Sequence, residues 1–442
     1  MAVPQRYYFV SDLHMGGDGK LQHCDYANEF IGFLKSLEKE GSGTELLIVG
    51  DTFGFWELTL VQGGKKLEHI IQAHQAIFDQ LKLTGAHIKV TMMVGNHDYD
   101  LACDPAYLDQ LRAYNIHLDT SLVLIRTLGA KKIWIEHGQQ HDQFNAFQDY
   151  GNLYALPAGY FITETFVGGA SRYADFGQGD WLKDIRSVGT MQIPDWFLSN
   201  YFYREMGAVL RWLLLPFLLL SSATIVAILG ELLRVLGIFD YNILFHNPLM
   251  SRLGIFDNVL QVVIAINSVF LLLFGVPMAL LLHDLTRTLR RFHVLTSHWT
   301  VPNFDSELCY LEAADAVFKK DASVAVFVFG HTHAAFLKRL GPDGRVVLNT
   351  GTWLKLLHRV PVRFGLLPAV YYPSYRLNYF CIEAENDDLV VNYVAIPKLA
   401  GPELTWLQRL LTLGKAPKQE ETIPSRTVLS MQPACDGSQG VA

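Results

Sequence analysis

Five short polar motifs, each directly following an apolar run, constrain this chain more than anything else in it. Tyr7-Tyr8-Phe9-Val10 leads to Asp12-Leu13-His14, and Leu46-Leu47-Ile48-Val49 leads to Gly50-Asp51. Val90 to Val94 precede Gly95-Asn96-His97-Asp98, Lys132-Ile133-Trp134-Ile135 precede Glu136-His137-Gly138, and Val324 to Phe329 precede Gly330-His331-Thr332-His333. Short apolar runs closed by glycine and polar residues read as buried strands. Polar groups gathered beyond the carboxyl ends of such strands are how an α/β sheet builds a site. One motif of this kind is weak; five in order predict an α/β fold with one polar cluster.

The cluster holds carboxylates, an amide oxygen and imidazoles, all hard or borderline metal donors. The set suffices for two divalent cations sharing a bridge, with one histidine to spare, as in a two-metal hydrolase of phosphate esters. No serine or cysteine nucleophile is required, so no covalent phospho-enzyme is expected. A lone histidine is more often a structural residue than a ligand. His23, His69, His74 and His117 fall under that reading, while His141, four residues after His137 and beside Asp142, is set apart by its position.

These motifs resemble those of the calcineurin-like metallophosphoesterase superfamily, over the first and last thirds of the chain. The resemblance implies a four-layer α/β/β/α sandwich with a dinuclear centre. It would place Asp12, His14 and His333 on one metal and Asn96, His137 and His331 on the other, with Asp51 bridging. His97 would be the catalytic histidine that binds no metal, oriented by Asp98. Asn349-Thr350-Gly351-Thr352-Trp353 is similar to the family's closing strand. Two cations about 3.5–4 Å apart clamp the attacking and leaving oxygens of an in-line displacement, and a hydroxide bridging them is the expected nucleophile. The mixed N and O donors suit Mn²⁺, with Fe or Zn²⁺ as alternatives.

The middle of the chain carries a second constraint. Residues 212–230 and 259–282 are free of charge, and each is long enough to span a bilayer core. They predict a two-helix transmembrane hairpin interrupting the sandwich, with Gln261 and Asn267 available for bonds between helices. A pair of buried soluble helices or a re-entrant hairpin is the alternative. Two spans return both halves of the catalytic domain to one side. Arg204, Arg211, Arg287, Arg290 and Arg291 flank them there, against Arg234 and Arg252 in the loop between. The expectation is an integral membrane protein with a cytoplasmic catalytic domain. The start of the chain has no signal-peptide pattern. Five scattered cysteines fit a reducing compartment. A formal charge of −7 argues against a nucleic-acid partner.

The expected organisation is a first catalytic part at 1–207, the hairpin at 208–286, a second catalytic part at 287–413 and a disordered tail at 414–442. Aromatics from Tyr150 to Tyr203, Tyr173, Phe176 and Trp181 among them, suggest a cap within 150–207, or packing of the insertion on the core. Lys183 and Arg186 are candidates for a phosphate contact or for solvated surface. Leu236 to Asp240 and Leu253 to Asp257 form a near repeat, read as interfacial turns or as chance.

The run from Gly50-Asp51 to Trp56-Glu57, followed by His137-Gly138 and Asp142, is similar to UDP-2,3-diacylglucosamine diphosphatases. The chain departs from them at His97, where they commonly carry arginine, and at Gly54, where an acid is frequent nearby. The expected function is a membrane-anchored phosphohydrolase cleaving a lipid-linked phosphoester or pyrophosphate. Its partners would be a phosphorylated or nucleotide-linked lipid and the membrane. The alternatives are an anchored phosphodiesterase of soluble nucleotides and a non-catalytic membrane scaffold.

Overall fold

The computed structural model describes residues 5–169, 184–188, 192–238, 252, 254–291, 306–341, 343–362, 367–386, 388–400, 404–413 and 421–430. The chain divides into two compact units, one of Met1–Arg204 with Phe304–Ala442 and one of Glu205–Asn303. The inserted unit thus extends past residue 286, where the apolar pattern alone would end it.

In the first unit, strands β1 (Arg6–Val10), β2 (Thr44–Val49), β3 (Lys89–Met93) and β4 (Ile116–Asp119) pair in parallel. A second group is β5 (Val123–Leu128), β6 (Lys131–Glu136), β7 (Val324–Phe329), β8 (Phe336–Leu340) and β9 (Arg345–Asn349). These five form one sheet in the order β5-β6-β7-β9-β8. A small ribbon of β10 (Leu356–Val360) and β11 (Val370–Ser374) follows. Strands β12 (Leu377–Glu385), β13 (Asp388–Ile396) and β14 (Arg426–Ser430) complete the first sheet in the order β14-β13-β12-β1-β2-β3-β4.

Side chains alternate across each strand, and both faces of the central strands are covered. Tyr7, Phe9, Leu47 and Val49 meet Ile133, Ile135, Val326 and Val328 between the sheets. Tyr8, Val10, Leu46 and Ile48 face the other way, onto Phe30, Phe33, Ile70, Phe78 and Leu81 of the helices Ala27–Leu37, Lys65–Ala73 and Gln75–His87. On the far face of the second sheet, helix Ser306–Lys320 sets Tyr310, Ala314 and Phe318 at helical spacing against Phe327 and Phe329. The result is helix, sheet, sheet, helix. Double coverage is why these strands read as continuous apolar runs.

One buried charge ties the sheets together. Glu45 on β2, 1% exposed, accepts two bonds of 2.9 Å from Arg126 on β5, with Thr91 and Lys89 at 2.6 and 3.0 Å.

The C-terminal expectation needs correction. Residues 426–430 are strand β14, an edge strand with Thr427 and Leu429 turned into the core. A five-residue alternation in a polar context gives little signal until a sheet edge is there to receive it. The closing segment also shifts: β9 ends at Asn349, and Thr350 to Trp353 form the loop beyond it.

In the second unit, helix Ala208–Val235 covers the first apolar stretch, and helical structure from Ile255 to Arg291 covers the second, with a π-turn at Leu271–Gly275. Among the described residues one helix, Ile255–Leu281, is long and apolar enough to cross a membrane by length and composition. The two helices pack against each other with Ala227 and Ile264 buried, and Asn267 Nδ2 donates to Thr224 Oγ1 at 2.9 Å. Gln261 instead bonds Asp257 on its own helix. The near repeat falls partly outside the described residues, as do Tyr173, Phe176, Trp181 and Lys183. Trp196 packs with Leu21, Val167, Ile185 and Tyr371, and Tyr203 donates to the Pro368 carbonyl, so these aromatics serve packing.

Glu45→Ala would leave Arg126 without its partner between the sheets. A loss of about 3 kcal/mol of stability is expected, measured by urea denaturation; a loss no larger than that of an exposed ion pair would contradict the role.

Candidate metal centre

Each donor of the cluster stands on a loop leaving the carboxyl end of β1, β2, β3, β6 or β7. Asp12, His14, Asp51, His331 and His333 all have positive φ, between 47° and 67°. Such backbone is costly for a residue with a Cβ and persists only where its surroundings enforce it. The enforcement is visible. Asp12 O accepts from Trp353 N and Thr352 Oγ1 at 3.3 and 2.8 Å. Asn349 Nδ2 donates to Gly330 O and Thr332 Oγ1 at 2.7 and 2.9 Å, so the end of β9 braces the turn that carries both late histidines. Gly95 is required where it stands, because a Cβ there would collide with the Asp51 carboxylate and backbone nitrogen.

The donors converge in two groups. In the first, His333 Nε2 lies 3.3 Å from Asp12 Oδ1 and 3.0 Å from His14 Nε2. In the second, Asn96 Oδ1 lies 3.2 Å from His137 Nε2 and 2.9 Å from His331 Nδ1. Asp51 Oδ2 stands between them, 3.7 Å from His14 Nε2 and 3.2 Å from His137 Nε2. The structure therefore gathers all seven sequence-nominated donors, with Asp51 between the groups. The His/Asp members form buried clusters consistent with a dinuclear metal site.

The donor atoms fit such ions. Asp12 Oδ2 is occupied by Ser11 Oγ and the His331 amide, but Oδ1 is buried and has no hydrogen-bond partner. A buried carboxylate oxygen left this way is costly unless a cation meets it. Burial, with the repulsion of neighbouring His97, holds His14 well below the ordinary imidazole range, leaving it uncharged as a ligand must be. His137 goes the other way. Burial would lower it, yet the adjacent Asp51 carboxylate outweighs that and pushes it up to about 10. Asp51 is correspondingly held well below its usual range, despite burial.

His97 sits at the edge of the cluster, its ring 4.7 Å from that of His14 and 4.4 Å from Trp56. Its Nδ1 is 2.9 Å from Glu57 Oε1. Burial opposes its charge, but the Glu57 and Asp51 carboxylates push it up to about 9. The expected partner, Asp98, is not the one that holds the ring. Its carboxylate accepts from the backbone nitrogens of Thr52, Phe53 and Gly95, at 2.7, 3.2 and 2.6 Å, and so shapes the loops around Asp51. Glu57 was the residue missed. Gly54 makes room for it: a Cβ there would lie 3.0 Å from Glu57 Oε2. The missing acid near position 54 was the available signal.

Asp142, and not His141, is the residue of this pair that meets the cluster. Its Oδ2 is 3.0 Å from His331 Nε2 and accepts from Asn145 Nδ2 at 2.7 Å, while Asn96 Nδ2 reaches Asn145 Oδ1 at 3.4 Å. This ring of contacts fixes both His331 and Asn96, as outer partners of metal ligands do. Burial would raise the Asp142 carboxyl, but His331 holds it down at about 2. His141 turns away to Glu136, at 2.6 Å.

A family profile described as calcineurin-like phosphoesterase matches residues 5–201. No curated protein matches the chain. A solved structure described as a conserved uncharacterized protein (predicted phosphoesterase) from Streptococcus pneumoniae TIGR4 shares 9% identity, covering 88% of this chain and 89% of that one, with a TM-score of 0.27. At that score the likeness carries no argument.

Because His137 is protonated below about pH 10 in the metal-free cluster, a cation must displace that proton. Metal affinity should therefore rise as pH increases from 7 towards 10. Calorimetry in buffers of different ionisation heat should detect proton release on binding; uptake of no metal, or binding without proton release at pH 7, would contradict it.

Proposed function

We propose that this calcineurin-like phosphoesterase, a metal-dependent hydrolase, is anchored in the membrane and cleaves a phosphoester or pyrophosphate on a lipid-linked substrate. Two divalent cations held by Asp12, His14 and His333 and by Asn96, His137 and His331, with Asp51 shared, would supply Lewis acidity and an activated water. Mn²⁺ suits these donors, as do Fe and Zn²⁺. His97 serves the leaving oxygen: with Nδ1 turned to Glu57, its Nε2 is left to deliver a proton. Glu57 keeps the ring in that orientation.

The observation that carries the lipid reading is the surface of the second unit. Leu219, Leu229, Val262, Ile266, Leu272 and Leu280 are each more than half exposed along its helices. A helix pair from a soluble core would bury such residues, and an apolar surface of this kind calls for lipid or a partner. The flanking arginines support a cytoplasmic side for the catalytic unit. A phosphatase tethered there meets lipid-borne phosphates at high local concentration. The similarity of the Gly50 to Glu57 run to lipid-A-precursor pyrophosphatases points the same way.

The test is phosphate or nucleotide release by the detergent-purified protein with Mn²⁺, on a UDP-linked acyl sugar, a phospholipid monoester and a soluble aryl diester. Preference for either lipid supports the reading. Turnover of the soluble diester alone would reduce the helices to an anchor, and silence with metal bound would favour a scaffold. Asp51→Asn should lose both metal and activity, since one carboxylate serves both groups. His97→Ala should keep its metal and slow turnover by about 10²–10⁴-fold. Glu57→Gln should slow it in the same direction by less. Equal metal loss in the Asp51 and His97 variants would contradict these roles.

A further inference from the structure

The loop after β1 carries Asp12 and His14, both at positive φ, and the loop after β9 braces only its Asp12 end. The other end pairs through backbone with the loop after β2, His14 N with Asp51 O and Met15 N with Thr52 O, both at 2.9 Å, and one guanidinium binds its carbonyls. Arg186 Nη1 donates to His14 O at 3.0 Å and to Gly16 O at 2.9 Å, and Nη2 donates to His23 O. Three backbone carbonyls of the connection between β1 and the first helix thus converge on one guanidinium. The group is occupied by the loop and is not presented to a substrate phosphate.

We propose that Arg186 is a positioning residue for the metal group containing His14: its planar fork clamps the loop so that the imidazole stays aimed at Asp12, Asp51 and His333. The inference rests on the reading of those donors as a metal site. The clamp itself has a firm base. Asp184, two residues earlier, takes a 3.1 Å contact from the buried Lys355, which follows the bracing loop after β9. Ile185 and Val188 are buried with Leu21 and Trp196. A guanidinium offers several fixed N–H groups in one plane, whereas an ammonium is a compact point charge that cannot span the same three acceptors. The second metal group has its own support in Asp142 and Asn145, so Arg186 acts on one group only.

Metal-free, detergent-purified full-length wild type, Arg186→Ala and Arg186→Lys are titrated with Co²⁺, whose visible spectrum follows each binding step. The wild type should show two steps. Arg186→Ala should weaken one of them by about 10–100-fold, the range for a lost outer partner of a ligand, and leave the other unchanged. Arg186→Lys should not restore it, while millimolar guanidinium added to Arg186→Ala should and urea should not. Thermal unfolding of the metal-free variants should stay a single cooperative transition, which keeps a local loss of aim distinct from a failure to fold. Unchanged steps, equal weakening of both, or recovery by lysine would overturn the clamp while leaving the metal site standing. A wild type that takes up no cobalt would sink the metal-site reading and the clamp with it.

Discussion

Five side-chain donors on left-handed backbone are the constraint around which the catalytic unit is built. At about 1–3 kcal/mol for each such residue, Asp12, His14, Asp51, His331 and His333 store strain that no local preference supports. It is offset by everything that fixes the loops: two sheets buried face to face, the Asn349 amide on the Gly330 turn, and the Asp98 carboxylate on three loop amides. The same packing removes water from Asp12 and Asp51, so their charges act on whatever cation enters. Strain, burial and an orphaned carboxylate oxygen are aspects of one arrangement. Each would be a liability without the ions it is shaped for.

Much of this was legible in the sequence because the fold repeats one local rule. An apolar run long enough for a strand, then a polar turn, marks β1, β2, β3, β6 and β7, and the five turns meet because parallel neighbours end at the same edge. The residues that escaped notice act through space without a pattern of their own. Glu57 reaches His97 because Gly54 leaves the volume open, and Asp142 reaches His331 across 189 positions of sequence. Arg186 looks like any surface arginine until the loop carbonyls are seen. Asp98 misled for the opposite reason: adjacency in sequence suggested it would orient His97, whereas the turn directs its carboxylate to backbone amides. Strand β14 escaped because an edge strand needs only alternate apolar residues.

The inserted unit obeys different physics. Its helices bury Thr224, Ala227 and Ile264 against each other and satisfy the Asn267 amide internally, while apolar side chains remain on the outside. In the proposed membrane setting such a bond between helices would keep the amide from facing lipid unpaired. The proposed function joins the two units in purpose: a hydrolytic centre, and a surface that brings it to substrates carrying acyl chains.

The most direct test of the central claim is anomalous X-ray scattering from crystals of the Mn²⁺-loaded protein. The account predicts two peaks, one among Asp12, His14 and His333 and one among Asn96, His137 and His331, with Asp51 touching both. A single peak, or metal bound away from Asp12 Oδ1, would contradict it.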